Sequence, residues 1–261
     1  MNNFETILVN EKNNVGYLTF NRPKKLNAIN EKCLIESLEA IKIFDSSKNV
    51  RVIVIRGSGD KAFSAGADIS ELADATKEFI EPYNRKWLKL FDAIEDSPKP
   101  VIASVNGWAT GGGTELSVCC DLVICADDSR FGLTEINIGV FPGAGASIRL
   151  TRHMGRLKAK QILMLGEFIS AEKAIELGLA NFLVRKPDLD IETQRIAEDL
   201  SLKAPLALTA IKKSINDGSE KEMKEALEFQ LKQFIDLFSS KDQKEGMKAF
   251  LEKRKPNFSG N

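Results

Sequence analysis

The sequence predicts an α/β fold, on three observations. Short β-branched runs at Arg51–Arg56, Pro100–Val105 and Leu122–Ala126 are apolar at successive positions, as in strands buried on both faces. A polar stretch of helical character, about Lys77 to Ile94, separates the first two runs. From Gly143 onward helical patterns follow one another. Short apolar strands alternating with helices exclude an all-β fold or a helical bundle.

The elements follow in order. Thr6–Val9 and Val15–Phe20 flank the turn-like Lys12-Asn13-Asn14 and read as a hairpin. Asn21–Lys25 reads as a loop. Asn30 caps the next helix, Ile29 and Leu34 are spaced as a hydrophobic staple, and Leu34, Leu38 and Ile41 continue at helical spacing. Further helices are expected at Ala146–Met154, Leu157–Leu165, Ala171–Leu177, Ile191–Lys203 and Pro205–Asn216, with Gly166 and Gly178 at C-cap positions. In the tail, Met223, Leu227, Leu231, Phe234 and Phe238 mark one apolar face, which requires the core or another subunit to pack on. No low-complexity linker and no internal repeat is visible. The expected division is an α/β core over residues 1–195 and a helical C-terminal region over 196–261.

Composition narrows the function. The 261 residues carry 37 Lys and Arg against 37 Asp and Glu, and a neutral chain is a poor partner for nucleic acid or an anionic membrane. A local basic patch for a small phosphorylated ligand remains compatible. Cys33, Cys119, Cys120 and Cys125 form no CxxC and read as buried thiols of a reducing compartment. One histidine excludes a two-His zinc site and leaves His153 alone for any Ser-His-Asp triad; its setting, Arg152-His153-Met154-Gly155, reads as a helix end. Met1–Glu5 is polar, and no segment approaches the ~18 apolar residues a membrane span needs. A cytoplasmic protein is expected, with no metal.

Glycines cluster at Ala65-Gly66-Ala67-Asp68-Ile69 and at Gly107–Glu115, the second leading into Leu116-Ser117-Val118-Cys119, a possible helix start. Such turns point backbone N–H groups at an anion. A P-loop requires Gly-Lys-Ser/Thr where Gly-Thr-Glu stands, and GxGxxG spacing is absent. Tight strand–helix packing is the alternative account of the glycines. Glu115 and Glu135 follow strand-like runs among apolar and glycine residues, where burial raises a carboxyl pKa towards neutrality and suits it to proton transfer.

These residues carry a resemblance over nearly the whole chain. Asn21-Arg22-Pro23, Leu26-Asn27-Ala28, Ala62–Ile69, Lys99–Gly107, Gly111-Gly112-Gly113-Thr114-Glu115, Phe131-Gly132 before Glu135, Phe141-Pro142-Gly143-Ala144-Gly145 and Phe250–Arg254 stand in the order of the crotonase family, the enoyl-CoA hydratase/isomerase superfamily. The resemblance implies a crotonase-like spiral of ββα units with a helical C-terminal trimerisation region, assembling as homotrimers or dimers of trimers. It implies an acyl-CoA thioester as substrate, coenzyme A being part of that substrate and no separate cofactor being needed. By position, the N–H groups of Ala67 and Gly112 form an oxyanion hole and that of Gly143 helps position a water. Relatives with both Glu115 and Glu135 are hydratases, Glu135 delivering the Cα proton and Glu115 orienting or deprotonating water. Ala65, Gly66, Asp68 and Ile69, with Leu26 and Ala28, line the coenzyme A groove; Lys24, Lys25 and Lys253 are candidates for its phosphates, and Phe250 and Lys253 act across a subunit boundary. Thr114, Thr134 and Ile148 depart from the family's common residues and bear on acyl specificity.

The expected activity is reversible hydration of a short- or medium-chain trans-2-enoyl-CoA. Isomerisation, or hydration of a branched or aromatic-pathway enoyl-CoA, is the alternative on the same site. A non-catalytic CoA- or RNA-binding protein is the alternative of another class.

Overall fold

The computed structural model describes residues 4–261; Met1, Asn2 and Asn3 of the polar N-terminal stretch lie outside the described residues. The chain is built from repeats of long strand, short strand and helix. It opens with the antiparallel hairpin β1 (Ile7–Lys12) and β2 (Val15–Phe20), turned by Asn13 and Asn14, both at positive φ as a two-residue hairpin turn requires. Helix α1 (Glu31–Ser46) follows, with the Asn30 side chain accepting from Cys33 N and the staple residues Ile29 and Leu34 both buried. The next repeats are β3 (Val52–Gly57), β4 (Ala62–Ser64) and α2 (Lys77–Glu95), then β5 (Val101–Val105), β6 (Trp108–Thr110) and α3 (Gly112–Cys119). Then come β7 (Leu122–Ala126), β8 (Arg130–Gly132), a 3-10 turn at Glu135–Ile138, and α4 (Ala146–Met154). After α5 (Arg156–Leu165) come β9 (Phe168–Ser170), α6 (Ala171–Glu176), β10 (Phe182–Val184) and α7 (Leu189–Ser201). Helices α8 (Pro205–Gly218), α9 (Met223–Leu237) and α10 (Lys241–Leu251) complete the fold.

The long strands form one sheet in the order β1-β2-β3-β5-β7-β10, parallel from β2 onward. The short strands form a second sheet, β4-β6-β8-β9, whose first three members are parallel. Alternation along β3 explains its all-apolar sequence: Ile53 and Ile55 face the core beneath α1 and α2, while Val52 and Val54 face α7. The position 195/196 falls inside α7, which packs Leu189, Ile196 and Ala197 on the main sheet. The C-terminal helices are pinned to that body by Lys212. Its ammonium donates to the carbonyls of Ile94 and Lys99 and pairs with Asp121 at 2.8 Å, near the N-terminal ends of β5 and β7. Helix α9 has no buried residue, so the face Met223, Leu227, Leu231, Phe234 and Phe238 is open in the single chain. His153 lies in the last turn of α4. Among the described residues no helix is long and apolar enough to cross a membrane.

One buried amide ties the N-terminal loop to the β3–β4 turn. Asn27 is 1% exposed; its Nδ2 donates to the carbonyls of Ser58 (2.9 Å) and Ala62 (2.7 Å), and its Oδ1 accepts from Arg22 N (3.1 Å). Its φ is +54°, where asparagine is tolerated better than alanine. Asn27→Ala leaves those carbonyls unpaired and should cost roughly 2–4 kcal/mol, read as a lowered urea midpoint at unchanged m-value.

Candidate active site

Two turns at the C-terminal ends of β4 and β6 meet at the centre of the molecule. A Cβ on Gly66, which sits at φ +79°, would stand 2.5 Å from the Thr110 carbonyl and 3.0 Å from Gly112 N, so only glycine permits this approach. In the first turn, Ala65 N donates to Leu26 O, Gly66 N to the Ser64 hydroxyl and Asp68 N to Ile29 O. The N–H of Ala67, between them, meets no acceptor among the described residues. In the second turn, Gly111 N donates to Gly132 O, and Glu115 N donates to Gly111 O. Gly112 is the first residue of α3, so its N–H has no intrahelical acceptor. The N–H groups of Ala67 and Gly112, on the two facing turns, are thus both free of a backbone partner among the described residues. Trp87 of α2 backs the second: a Cβ on Gly112 would lie 2.6 Å from its ring.

Helix α3 starts at Gly112, earlier than the run Leu116–Cys119 indicates, and Glu115 lies in its first turn and not at a strand end. The carboxyl is 4% exposed, and its Oε1 accepts from Ala144 N (3.1 Å) and Ala146 N (2.9 Å). Burial pushes its pKa up to about 7, with the Glu135 charge adding to the rise while the two N–H groups and Arg149 oppose it. Glu135 opens the 3-10 turn after β8. Its Oε2 is buried with no hydrogen-bond partner among the described residues, and burial raises its pKa as well. Gly111 lies against the Glu135 carboxyl: a Cβ there would stand 3.0 Å from Glu135 Oε1. The Glu135 charge thus disfavours the ionised form of Glu115, and both carboxyls are raised towards the range where a carboxyl can exchange a proton.

The third wall is the turn Pro142–Gly145. Asn84 of α2 donates to Gly143 O at 2.7 Å, and the Gly143 N–H has no acceptor among the described residues. Arg149 of α4 donates to Ala144 O at 2.8 Å. Asn84 and Arg149 were not legible as site residues; both read as polar positions on helices, and only the carbonyls they meet give them a role.

The remaining candidates separate into two groups. Lys24 and Lys25 are exposed on a 3-10 turn, and Leu26 and Ala28 just beyond it abut the Ala65–Ile69 turn through Ala65 N and Asp68 N–Ile29. The Asp68 side chain is occupied: Ser70 hydrogen bonds and the Arg22 guanidinium at 2.8 Å hold its carboxyl below the ordinary value. Ile69 is 53% exposed at the rim. Phe250 and Lys253 form the second group, at the exposed end of α10. Their neighbours Asp242 and Glu245 bind the C-terminal segment 257–260, so the chain's own fold does not join them to the glycine turns. Thr114 lies behind the site, its hydroxyl donating to Ala109 O while accepting from Gly132 N, which fastens α3 to β6 and β8.

Free backbone donors beside two carboxyls raised by burial equip a fold for proton transfer next to a carbonyl whose oxygen gains charge. The chain belongs to the enoyl-CoA hydratase/isomerase family, whose model matches residues 10–261. It is 39% identical to the crotonyl-CoA hydratase of Syntrophomonas wolfei over 98% of both chains. It is 40% identical to the mitochondrial enoyl-CoA hydratase of Pongo abelii, over 98% of this chain and 88% of that one. Among solved structures, an enoyl-CoA hydratase subunit of Geobacillus kaustophilus superposes with a TM-score of 0.94 at 41% identity, covering 99% of each chain. The fold is therefore the crotonase fold that the motifs implied.

The burial of Glu115 has a consequence for stability. Its pKa is higher folded than unfolded, so the folded state binds the extra proton between about pH 4.5 and 7. The favourable balance is complete below the unfolded value and is lost as pH rises through 7. Glu115→Gln keeps the shape and the acceptor oxygen without the charge. It should raise stability at pH 8 by up to roughly 3 kcal/mol and leave it unchanged near pH 4, read from thermal unfolding at the two pH values.

Proposed function

We propose that the chain is an enoyl-CoA hydratase that adds water reversibly across the double bond of a short- or medium-chain trans-2-enoyl-CoA. The observation that carries this reading is the pair Glu115 and Glu135, one buried and one half-buried carboxyl, both with raised pKa, near the unpaired N–H groups of Ala67 and Gly112. Isomerisation moves a proton within the substrate and needs one carboxyl; hydration also activates a water, and uses two.

In this mechanism the thioester oxygen accepts from Ala67 N and Gly112 N, which stabilise the enolate charge; one such donor is worth ~3 kcal/mol in the transition state. Glu115 receives a proton from the water as its oxygen bonds to Cβ, and Glu135 gives a proton to Cα. We assign these roles on the resemblance; the two N–H donors at Glu115 Oε1 support the ionised form a base needs, and burial raises Glu135 towards the protonated form an acid needs. A proton on Glu135 also removes the like charge that raises Glu115. One water is consumed, the pair ends with the proton it began with, and no electrons are transferred, so no cofactor beyond the substrate's own coenzyme A is called for. In this reading the Gly143 N–H, free of a backbone partner among the described residues, orients the water, and the exposed Lys24 and Lys25 meet the phosphates at the rim of the Ala65–Ile69 groove. The free thiols, with Cys33, Cys119 and Cys125 buried, fit a reducing compartment such as the cytoplasm.

Purified protein should bleach the enoyl-thioester absorbance of crotonyl-CoA and yield 3-hydroxybutyryl-CoA. Intact absorbance alongside tight CoA-ester binding would shift the reading to isomerisation or a branched substrate. Glu115→Gln and Glu135→Gln should each lower turnover about a thousandfold or more with CoA-ester binding retained, and the double variant should be little worse than either.

The open apolar face of α9 also supports assembly as a homotrimer or a dimer of trimers, with Phe250 and Lys253 reaching a neighbour's site. Sedimentation should give three or six times 28.9 kDa. Leu231→Asp, in the middle of that face, should release smaller species.

A further inference from the structure

Among the described residues Arg149 is the one cation that faces Glu115, and it is itself held. Its Nε and Nη2 grip both oxygens of Glu95 at the end of α2, at 2.7 and 2.5 Å, and its guanidinium lies 5.7 Å from the Phe91 ring centroid. That two-point grip fixes the plane of the guanidinium. The remaining nitrogen, Nη1, donates to the Ala144 carbonyl. The N–H of the same Ala144 and that of Ala146 are the two groups that hold Glu115 Oε1. A Cβ on Gly145 would fall 2.2 Å from Nη1, so the turn and the guanidinium are packed without slack.

We propose that Arg149, fixed by Glu95, is the positioning residue for Glu115: by fastening the Ala144 carbonyl it sets the turn whose two N–H groups aim and hold the carboxylate. This rests on the hydratase reading for its effect on turnover. Arg149 touches neither substrate nor water in that mechanism and acts through the turn. The groups that face Glu115 are Glu135 on the 3-10 turn after β8, Arg149 on α4 and the Cys119 thiol on its own helix α3; Glu95 and Asp92 of α2 face Arg149 in turn. The Arg149 charge lowers the Glu115 pKa and the Glu135 charge raises it.

The experiment compares Arg149→Met, Arg149→Lys and Glu95→Gln by steady-state hydration of crotonyl-CoA across pH, and by 13C NMR titration of the Glu115 carboxyl, assigned with Glu115→Gln. Arg149→Met should lower kcat roughly 10- to 100-fold, as a small misplacement of a catalytic group does, with KM little changed. Its acid limb and its Glu115 titration should both move to higher pH. Arg149→Lys retains the charge without the planar grip, so kcat should fall with the limb nearly in place. Glu95→Gln retains Arg149 and should lower kcat less than Arg149→Met, which keeps the test decisive if the methionine variant does not fold. In a Glu115→Gln background Arg149→Lys should cost no further turnover. The proposal is overturned by wild-type kcat and an unmoved limb in Arg149→Lys and Glu95→Gln, by effects confined to KM, or by a Glu115 titration unmoved in Arg149→Met. Failure of the wild-type protein to hydrate any enoyl-CoA would overturn the hydratase reading instead, and the NMR titration would still decide the role of Arg149.

Discussion

The close approach of two backbones at Gly66 and Gly113 is the constraint on which the site depends. A Cβ on Gly66 would collide with the Thr110 carbonyl, and one on Gly113 would stand 2.5 Å from the Ser64 carbonyl. With any larger residue at these positions the β4 turn and the start of α3 would separate. The N–H groups of Ala67 and Gly112 would then be drawn apart. The short second sheet serves this approach: β4 and β6 pair in parallel for only a few residues and then release into the two turns. In the first turn the neighbouring N–H groups of Ala65, Gly66 and Asp68 are all satisfied by protein, so the free donor at Ala67 is not a general deficit of that loop.

The carboxyls impose a second, opposing demand. Glu115 is buried where its charge is costly, and the fold offsets the cost only in part, through two backbone N–H groups and a cation at one remove. A glutamine would be quieter there. Glu135 receives less compensation still, since its Oε2 meets no donor. Local destabilisation of this kind is expected where groups are preorganised for a charge that arises only during reaction. The rest of the interior is conventional, with apolar clusters on both faces of the main sheet.

Much of the fold was legible because its long elements obey simple periodicities. The runs around Val52, Val101 and Leu122 became parallel strands, the Asn30 cap and the Ile29–Leu34 staple are present, and Gly166 closes α5 in the left-handed conformation. The second sheet was not legible, because strands of three residues such as Ala62–Ser64 and Arg130–Gly132 are too short to show alternation. The start of α3 was misplaced because glycines disfavour helix locally. Tertiary packing against Trp87 and Ser64 overrides that preference at Gly112 and Gly113. The two glutamates stood out as charges in apolar, glycine-rich surroundings. Asn84, Glu95 and Arg149 did not, since a polar residue on an amphipathic helix looks the same whether it meets solvent or a distant carbonyl.

Helix α2 connects these parts. Its Trp87 seats the Gly112 end of α3, its Asn84 holds the Gly143 carbonyl, and its Glu95 holds Arg149 and through it Ala144. The helix presents Tyr83, Trp87, Leu90, Phe91 and Ile94 to the core, so its position is set by apolar packing and not by the polar groups it supports. The Gly112 N–H, the Gly143 turn and the Glu115 carboxyl therefore share one rigid support whose placement costs the site nothing in polarity. A shift of α2 along its axis would move all three together and preserve their mutual geometry. A loss of one polar anchor would instead move one wall against the others, which is the more damaging change for the proposed hydration, since that mechanism needs the oxygen, the water and both carboxyls in register.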